Sequence, residues 1–256
     1  MRLSFDRVAD RYDETRAYPA GVPERIAEAL GEYFPKGGRI LDIGVGTGRL
    51  AAPMKAFGFD IVGVDVSRGM LDKAEGKGLG QLLLADARAL PFRDRSFRCS
   101  ISVHVTHLIG DWERAVGEIG RVTEERYASV VTDRDGCQLE ELQRAYEDAC
   151  AELDCEVGHP GLREKDLAQR IGPIAVLEIA DRRDTVDFRD VLERYRARIY
   201  SDLWNVPDEV HEHAMRRLEK VYGSRDRLER REKISLVIWD AESVREYAHQ
   251  ISFACP

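Results

Sequence analysis

A doubly wound α/β fold is predicted by three features of this 256-residue chain. An apolar run breaks into alternate glycines, a second apolar run ends in an acid, and apolar runs then alternate with helix-period segments. The first feature is Arg39-Ile40-Leu41-Asp42-Ile43 followed by Gly44, Gly46 and Gly48. Ile40, Leu41 and Ile43 suit a parallel strand buried on both faces, and the glycines allow positive φ or close approach of a ligand to the main chain. Unpaired N–H groups opening the next helix would make this corner a site for the polar end of a ligand, with the Asp42 carboxylate beside it. The second run, Asp60-Ile61-Val62-Gly63-Val64-Asp65, places an acid where it can take both hydroxyls of a ribose. The spacing is G-x-G-x-G, with Arg49 where a dinucleotide fingerprint needs its third glycine, which disfavours a nicotinamide oxidoreductase.

The remaining elements follow in order. Phe5, Val8, Ala9 and Tyr12 recur at helical spacing behind Ser4 as a cap, predicting a short amphipathic helix at the start. A second helix, about Pro23 to Phe34, buries Ile26, Leu30 and Phe34 before the turn Pro35-Lys36-Gly37-Gly38. After the glycines, Leu50 to Phe57 reads as a crossover helix, bent at Pro53 and stopped by Gly58. Strand-like runs recur at Ile61 to Val64, Leu82 to Ala85, Cys99 to Val105 and Tyr127 to Thr132. Between them lie helical segments at Ser67 to Ala74 and Asp111 to Thr123, the latter with Asp111 as cap and Trp112, Ala115, Val116 and Ile119 on one face. Right-handed crossovers place the carboxyl ends of such strands along one rim, where the glycine turn, Asp65, Asp86 with Ala87, and Val103-His104 would meet.

The second half predicts a helical insertion. Phe188, Val191, Leu192, Tyr195, Ile199, Leu203 and Trp204 keep helical spacing behind Asp187, and Pro207 opens another helix through Val210, Ala214, Leu218 and Val221. Further helices are expected at Glu140 to Leu153 and Arg163 to Ile171. Tyr195, Tyr200 and Trp204 read as core, and the arginines at 182, 183, 189, 194, 196 and 198 alternate with acids as a solvated face. Flanking strands are predicted at Ala175 to Ile179 and Ile234 to Trp239.

Lys plus Arg 39 against Asp plus Glu 47 gives a net charge of -8, which argues against an extended nucleic-acid-binding face. Five cysteines form no C-x-x-C pair and no cluster with histidines, so neither a disulfide framework nor a metal site is expected. With no apolar leader and no long apolar run, a cytoplasmic protein without membrane insertion is expected.

Four segments then stand in order at βαβ spacing. They are Phe5-Asp6-Arg7-Val8-Ala9-Asp10-Arg11-Tyr12-Asp13, Leu41-Asp42-Ile43-Gly44-Val45-Gly46-Thr47-Gly48, Val62-Gly63-Val64-Asp65-Val66-Ser67, and the stretch from Ala85-Asp86-Ala87 through Leu90-Pro91-Phe92 to Phe97. Over residues 1–132 the chain thereby resembles the class I S-adenosylmethionine-dependent methyltransferases, in the group that includes the ubiquinone and menaquinone biosynthesis enzymes. Val122-Thr123-Glu124-Glu125-Arg126 departs from that group, which commonly has a Pro-Gly-Gly turn there.

The resemblance implies a Rossmann-like, mostly parallel sheet of seven strands. Residues 1–36 would form a helical cap over the cofactor, 37–180 and 230–256 the S-adenosylmethionine-binding domain, and 181–229 a helical substrate lid. It further implies that Gly44, Gly46 and Gly48 let the methionine part of S-adenosylmethionine lie along the backbone, with Asp42 near its ammonium. Asp65 would hold the ribose, Asp86 and the Ala87 N–H the adenine edge, and Val66 and Met70 the adenine face. Tyr12 and Arg16 would close over the cofactor. Methyl transfer by in-line displacement to a small or medium organic acceptor needs alignment and exclusion of water rather than a metal. Where the acceptor must lose a proton, His104 or His107 beyond the fourth strand is the candidate base, and His104 also reaches the cofactor. The alternative is a regulatory or partner protein that binds S-adenosylmethionine without transfer. Monomer and homodimer both fit.

Overall fold

A computed structural model describes residues 5–35 and 38–254. The expected Ser4 cap and the Lys36-Gly37 part of the first turn lie outside the described residues. The chain enters through a 3-10 turn at Asp6–Arg11, then α1 (Tyr12–Arg16) and α2 (Val22–Tyr33). The first strand and crossover are β1 (Arg39–Ile43) and α3 (Ala51–Phe57), followed by β2 (Asp60–Asp65), α4 (Arg68–Gly76), β3 (Leu82–Leu84), β4 (Phe97–Ser102), α5 (Trp112–Val122) and β5 (Thr123–Asp133). Then come α6 (Gln138–Ala151), α7 (Glu164–Arg170), β6 (Ala175–Asp187), α8 (Phe188–Arg196), α9 (Asp208–Tyr222), β7 (Arg227–Asp240) and α10 (Ala241–Ala254).

One mixed seven-stranded sheet runs in the order β3-β2-β1-β4-β5-β7-β6. The first five strands pair in parallel, with Ile43 opposite Val64 on one side and Ser102 on the other. Strand order therefore reverses between β1 and β4, the position at which an open α/β sheet forms a crevice at its carboxyl edge. Leu41, Ile43, Ile119, Tyr127 and Trp239 are among the fully buried side chains of this layer. The helix α10 packs on α5, where Arg245 donates to the Gly120 and Thr123 carbonyls that end α5.

Several elements differ from expectation. Pro53 is the third residue of α3, where no intrahelical N–H bond is lost, so it does not interrupt the helix. Asp111 precedes α5 but makes no side-chain capping bond, whereas Ser67 accepts from Met70 N–H and Asp187 from Arg189 N–H. β4 ends at Ser102, three residues before the predicted Val105, because His104 takes φ 58 and turns the chain out of the ladder. The run from 188 to 204 is not one helix: α8 stops at Arg196, Arg198 takes φ 45, and a 3-10 turn follows at Ser201–Leu203. Sequence periodicity gave no sign of α10, whose buried residues, among those described, are Ala241, Val244 and Ala248.

The chain divides into two compact units, Met1–Val131 with Pro160–Ile179 and Ser235–Pro256, and Thr132–His159 with Ala180–Ile234. The domain boundaries read from sequence are corrected accordingly. Helix α6 was grouped with residues 37–180, but Leu142, Tyr146, Ala149 and Cys150 bury their faces with Val191, Tyr195, Ala214 and Leu218 in a core of the second unit. Tyr195 is part of that core, and Trp204 donates its indole N–H to Arg198 O. The arginines of this unit pair with acids on its surface, Arg230 and Arg182 with Asp184 and Arg231 with Asp181. No helix among the described residues is long and apolar enough to cross a membrane.

Candidate functional site

The glycine turn is built by bonds to β2. Gly44 and Val45 N–H both donate to Val64 O at 2.8 and 2.9 Å, Gly46 N–H donates to Asp65 Oδ2 at 2.9 Å, and Gly48 N–H donates to Val45 O. These four turn N–H groups are thus paired inside the protein, and at the start of α3 the Ala52 N–H donates to Gly48 O at 2.9 Å. What the turn offers is close approach. All three glycines have positive φ, and a Cβ on Gly46 would meet only Gly44 O at 3.9 Å.

Gly48 has a different job from the one the resemblance implies. It lines no part of the crevice, and a Cβ there would stand 2.5 Å from Leu79 Cδ1 and 3.3 Å from Ala74 Cβ. Gly48→Ala should therefore destabilise the fold by ~2–4 kcal/mol through overpacking and left-handed strain, read as a lower urea midpoint. An unchanged midpoint would show that this packing yields freely.

A crevice of about 870 Å³ lies over the carboxyl ends of β1 to β4. It brings together Gly44, Gly46, Asp65, Val66 and Met70 from the first two crossovers, Asp86 and Ala87 after β3, His104 after β4, and Tyr12 from the N-terminal segment. Asp42 faces an adjoining hollow of about 340 Å³ with Tyr12, Gly46, Thr47 and Arg49. Arg16 lines neither space, and its guanidinium sits 5.6 Å from the Tyr12 ring centre and 5.9 Å from that of Phe5. His107 also lines neither, and its Nδ1 is 3.4 Å from Glu164 Oε2.

Electrostatics mark the two acids at the turn. Burial, and after it the Asp65 carboxylate, raises the Asp42 pKa to about 7, although Arg49 pulls against this. Asp65 is also raised by burial, with the Ser67 and Gly46 N–H groups opposing. Asp86 is engaged by its neighbour: Arg88 donates to it from Nε at 3.1 Å, from Nη2 at 2.8 Å and from its main-chain N–H at 3.0 Å.

The N-terminal segment is fastened to this edge by two acids. Asp6 Oδ1 accepts from Ser67 Oγ at 2.6 Å and Gly69 N–H at 2.9 Å, at the start of α4, while Asp13 accepts from Thr47 Oγ1 and Lys77 Nζ, each at 2.5 Å. Arg49 lies 4.4 Å from the Tyr18 ring centre and donates to Arg16 O. The Tyr18 hydroxyl is buried without a hydrogen-bond partner among the described residues.

The methyltransferase domain family matches residues 41–126, the stretch that supplies this turn and the three strand ends beside it. Residues 41–126 thereby form a domain of the class I S-adenosylmethionine-dependent methyltransferase type. S-adenosylmethionine is the cofactor of this methyltransferase family. Its relatives include the demethylmenaquinone methyltransferase of Thermus thermophilus, 38% identical over 130 residues that cover 46% of this chain and 58% of that one. The demethylmenaquinone methyltransferase of Thermotoga maritima is 33% identical over 141 residues, covering 52% and 60%. The chain thus spans less than two thirds of the length of these curated relatives. Among solved structures, the YcgJ protein of Bacillus subtilis aligns with a TM-score of 0.52 at 18% identity over 84% of this chain and 97% of that one. A SAM-dependent methyltransferase of Thermotoga maritima aligns with a TM-score of 0.52 at 20% identity over 93% and 98%. At these identities the likeness is one of fold.

Four residues in and around the site escaped the sequence reading. Arg49 and Arg88 were legible in principle, since each directly follows a site motif. Tyr18 and Glu164 were not, because nothing local signals a buried hydroxyl or a carboxylate brought back from 59 positions beyond Val105.

Proposed function

We propose that this chain transfers the methyl group of S-adenosylmethionine to a small or medium organic acceptor by in-line displacement. The observation that carries the reading is the convergence of Gly46, Asp65 and Ala87 on one crevice, with Asp42 in the hollow adjoining it, at the point where strand order reverses. The residues fit the cofactor. The open face at Gly46 admits a ligand against the backbone, and the buried Asp42 carboxylate suits an ammonium. Asp65 would take the ribose hydroxyls, Met70 and Val66 the adenine face, and the Ala87 N–H a ring nitrogen, with Asp86 shared between the adenine amino group and Arg88. Tyr12 would cover the methionine side, and Arg16 would hold Tyr12 in place rather than touch the cofactor.

When bound, the cofactor supplies a methyl group already activated by its sulfonium sulfur. The chain's own contribution is to orient an acceptor in line, exclude water and remove a proton where the acceptor carries one. Val103, Val105, Leu108 and Ile109 give the crevice an apolar wall suited to the body of an organic acceptor. His104 lies on that wall and is the candidate base, whereas His107 is turned to Glu164.

Calorimetry tests the reading directly. S-adenosylmethionine should bind, and Asp65→Ala should weaken it by about 1.5–3 kcal/mol through loss of charged hydrogen bonds to hydroxyls. Because Asp65 also ties Gly46 and Ser67, circular dichroism must show the variant folded. Transfer of a labelled methyl group should then be assayed with demethylmenaquinone, the acceptor named for the relatives, and with smaller amines and phenols. Binding of NADH in place of S-adenosylmethionine would overturn the proposal.

A further inference from the structure

The crevice wall beyond β4 is backed by a segment that returns from far along the chain. Val105, Leu108 and Ile109 line the crevice, whereas Thr106 is fully buried, lines no part of it and donates its hydroxyl to Leu162 O at 2.7 Å. Gly161 N–H donates to His107 O and Glu164 Oε1 accepts the Val105 N–H, each at 2.9 Å. Residues 160–164 thus bond the loop at successive positions, 105, 106 and 107. Leu162 and, on α7, Leu167 are buried in one core with Val116 and Ile119 of α5, so this backing rests on close-packed side chains.

Gly161 approaches the loop more closely than any side chain permits. A Cβ there would stand 2.1 Å from Thr106 O, 2.4 Å from Ile109 O and 2.9 Å from the His107 carbonyl carbon. These are main-chain atoms of the 3-10 turn at Thr106–Leu108 and of the residue that ends it, so no change of rotamer relieves the overlap. The turn would have to move as a body, because Leu108 N–H donates to Val105 O at 3.0 Å and Ile109 N–H to Thr106 O at 3.2 Å. Its fixed end is Val105, which is bonded to Glu164 and stands against the glycine turn, where a Cβ on Gly44 would meet Val105 Cγ2 at 2.3 Å. With packed core behind them and the crevice in front, residues 106–109 have one direction left, into the crevice.

We propose that Gly161 is a positioning residue that sets acceptor specificity: its missing side chain decides how far residues 106–109 stand back, and so how broad an acceptor fits beside the cofactor. The acceptor's place in this crevice rests on the function proposed above, while the position of the wall does not. Gly161 lines no part of the crevice itself, and Leu108 and Ile109 are the side chains through which an acceptor would feel a change there.

Crystal structures of the full chain and its Gly161→Ala variant read the wall directly. The carbonyl groups of Thr106 and Ile109 should move by about 1 Å toward the crevice, the distance by which the added methyl falls short of ordinary contact. A wall that stays in place while residues 160–164 give way overturns the proposal. In transfer assays with phenol, naphthol and phenanthrol as acceptors of rising breadth, Gly161→Ala should raise the KM of the broadest one methylated at least ~10-fold, and that of phenol far less. The Kd of S-adenosylmethionine should stay within about twofold, because Val105 holds its place against Gly44. Adding Leu108→Ala, which removes volume from the crevice face, should restore most of that KM, whereas a second truncation would not repair a merely destabilised protein. Equal losses for all acceptors, or no recovery in the double variant, count against Gly161. If Gly161→Ala does not fold, Thr106→Val keeps the shape of the wall but not its bond to Leu162 O, and hydrogen exchange at the Ile109 N–H should quicken at least ~10-fold. Unchanged exchange there sinks the idea. A wild type that binds no S-adenosylmethionine would remove the function proposed above, and the crystallographic comparison would still decide where Gly161 puts the wall.

Discussion

Asp42→Asn should make the cofactor-free protein more stable than the wild type at pH 8 while weakening S-adenosylmethionine binding at least tenfold. The carboxyl is 3% exposed, and burial and Asp65 move its pKa from 3.8 to about 7. A carboxyl whose pKa is raised by folding binds its proton more tightly in the folded state. Its favourable contribution is therefore complete below pH 3.8 and is lost as pH rises toward 7, beyond which the penalty of a buried charge is constant. At about 1.4 kcal/mol per pH unit, asparagine should recover roughly 2–4 kcal/mol at pH 8, less whatever its amide costs in that hollow. Urea unfolding at pH 5 and pH 8 measures it: the wild type should lose stability between the two, and the variant should lose much less.

The same residue couples cofactor binding to protons. An ammonium placed beside Asp42 pulls its pKa back down, so binding below pH 7 should release a proton and affinity should rise with pH. Calorimetry in two buffers of different ionisation enthalpy would detect that release, and Asp42→Asn should abolish it. Parallel pH profiles for the wild type and the variant would count against Asp42 as the ammonium partner.

Trp239→Ala should be the most destabilising single truncation in the sheet. Trp239 is fully buried, its ring centre is 5.2 Å from that of Tyr127 in a stacked pair, and its indole N–H donates to Ile171 O at 2.9 Å. Truncation removes the largest side chain of this layer and leaves a buried carbonyl unpaired, costing about 3–5 kcal/mol. For a domain of this size the thermal midpoint should fall by roughly 6–20 °C. Trp239→Phe, which keeps a ring to stack but not the donor, should fall between the two. A loss under about 1 kcal/mol for the alanine variant would mean that the layer closes over the gap.

The strands that end at Ile43 and Asp65 were legible because a central parallel strand leaves an apolar run and glycine-rich turns leave an unmistakable break, whereas the one ending at Leu84 is an edge strand read from its three leucines although Leu83 and Leu84 are exposed. Gly48 carries a subtler lesson. Its place in the motif suggested contact with a ligand, yet its missing side chain makes room for Leu79 and Ala74. Helix α10 and the true partners of α6 were hidden for a related reason, since a stripe of small residues, or an ordinary apolar face, does not say which neighbour will cover it.

By itself the sequence determined the alternation of strands and helices through β5 and the meeting of strand ends along one rim beside the acids at 42, 65 and 86, because these follow from local periodicity and right-handed crossovers. Only the tertiary structure decided how those groups are charged and held. Burial beside Asp65 sets the proton affinity of Asp42, Arg88 occupies Asp86, and a carboxylate far along the chain returns to seat the loop of His104 and His107. The cause is that desolvation and Coulomb interaction depend on distance in space, and spacing along the chain does not encode the contacts that fix it.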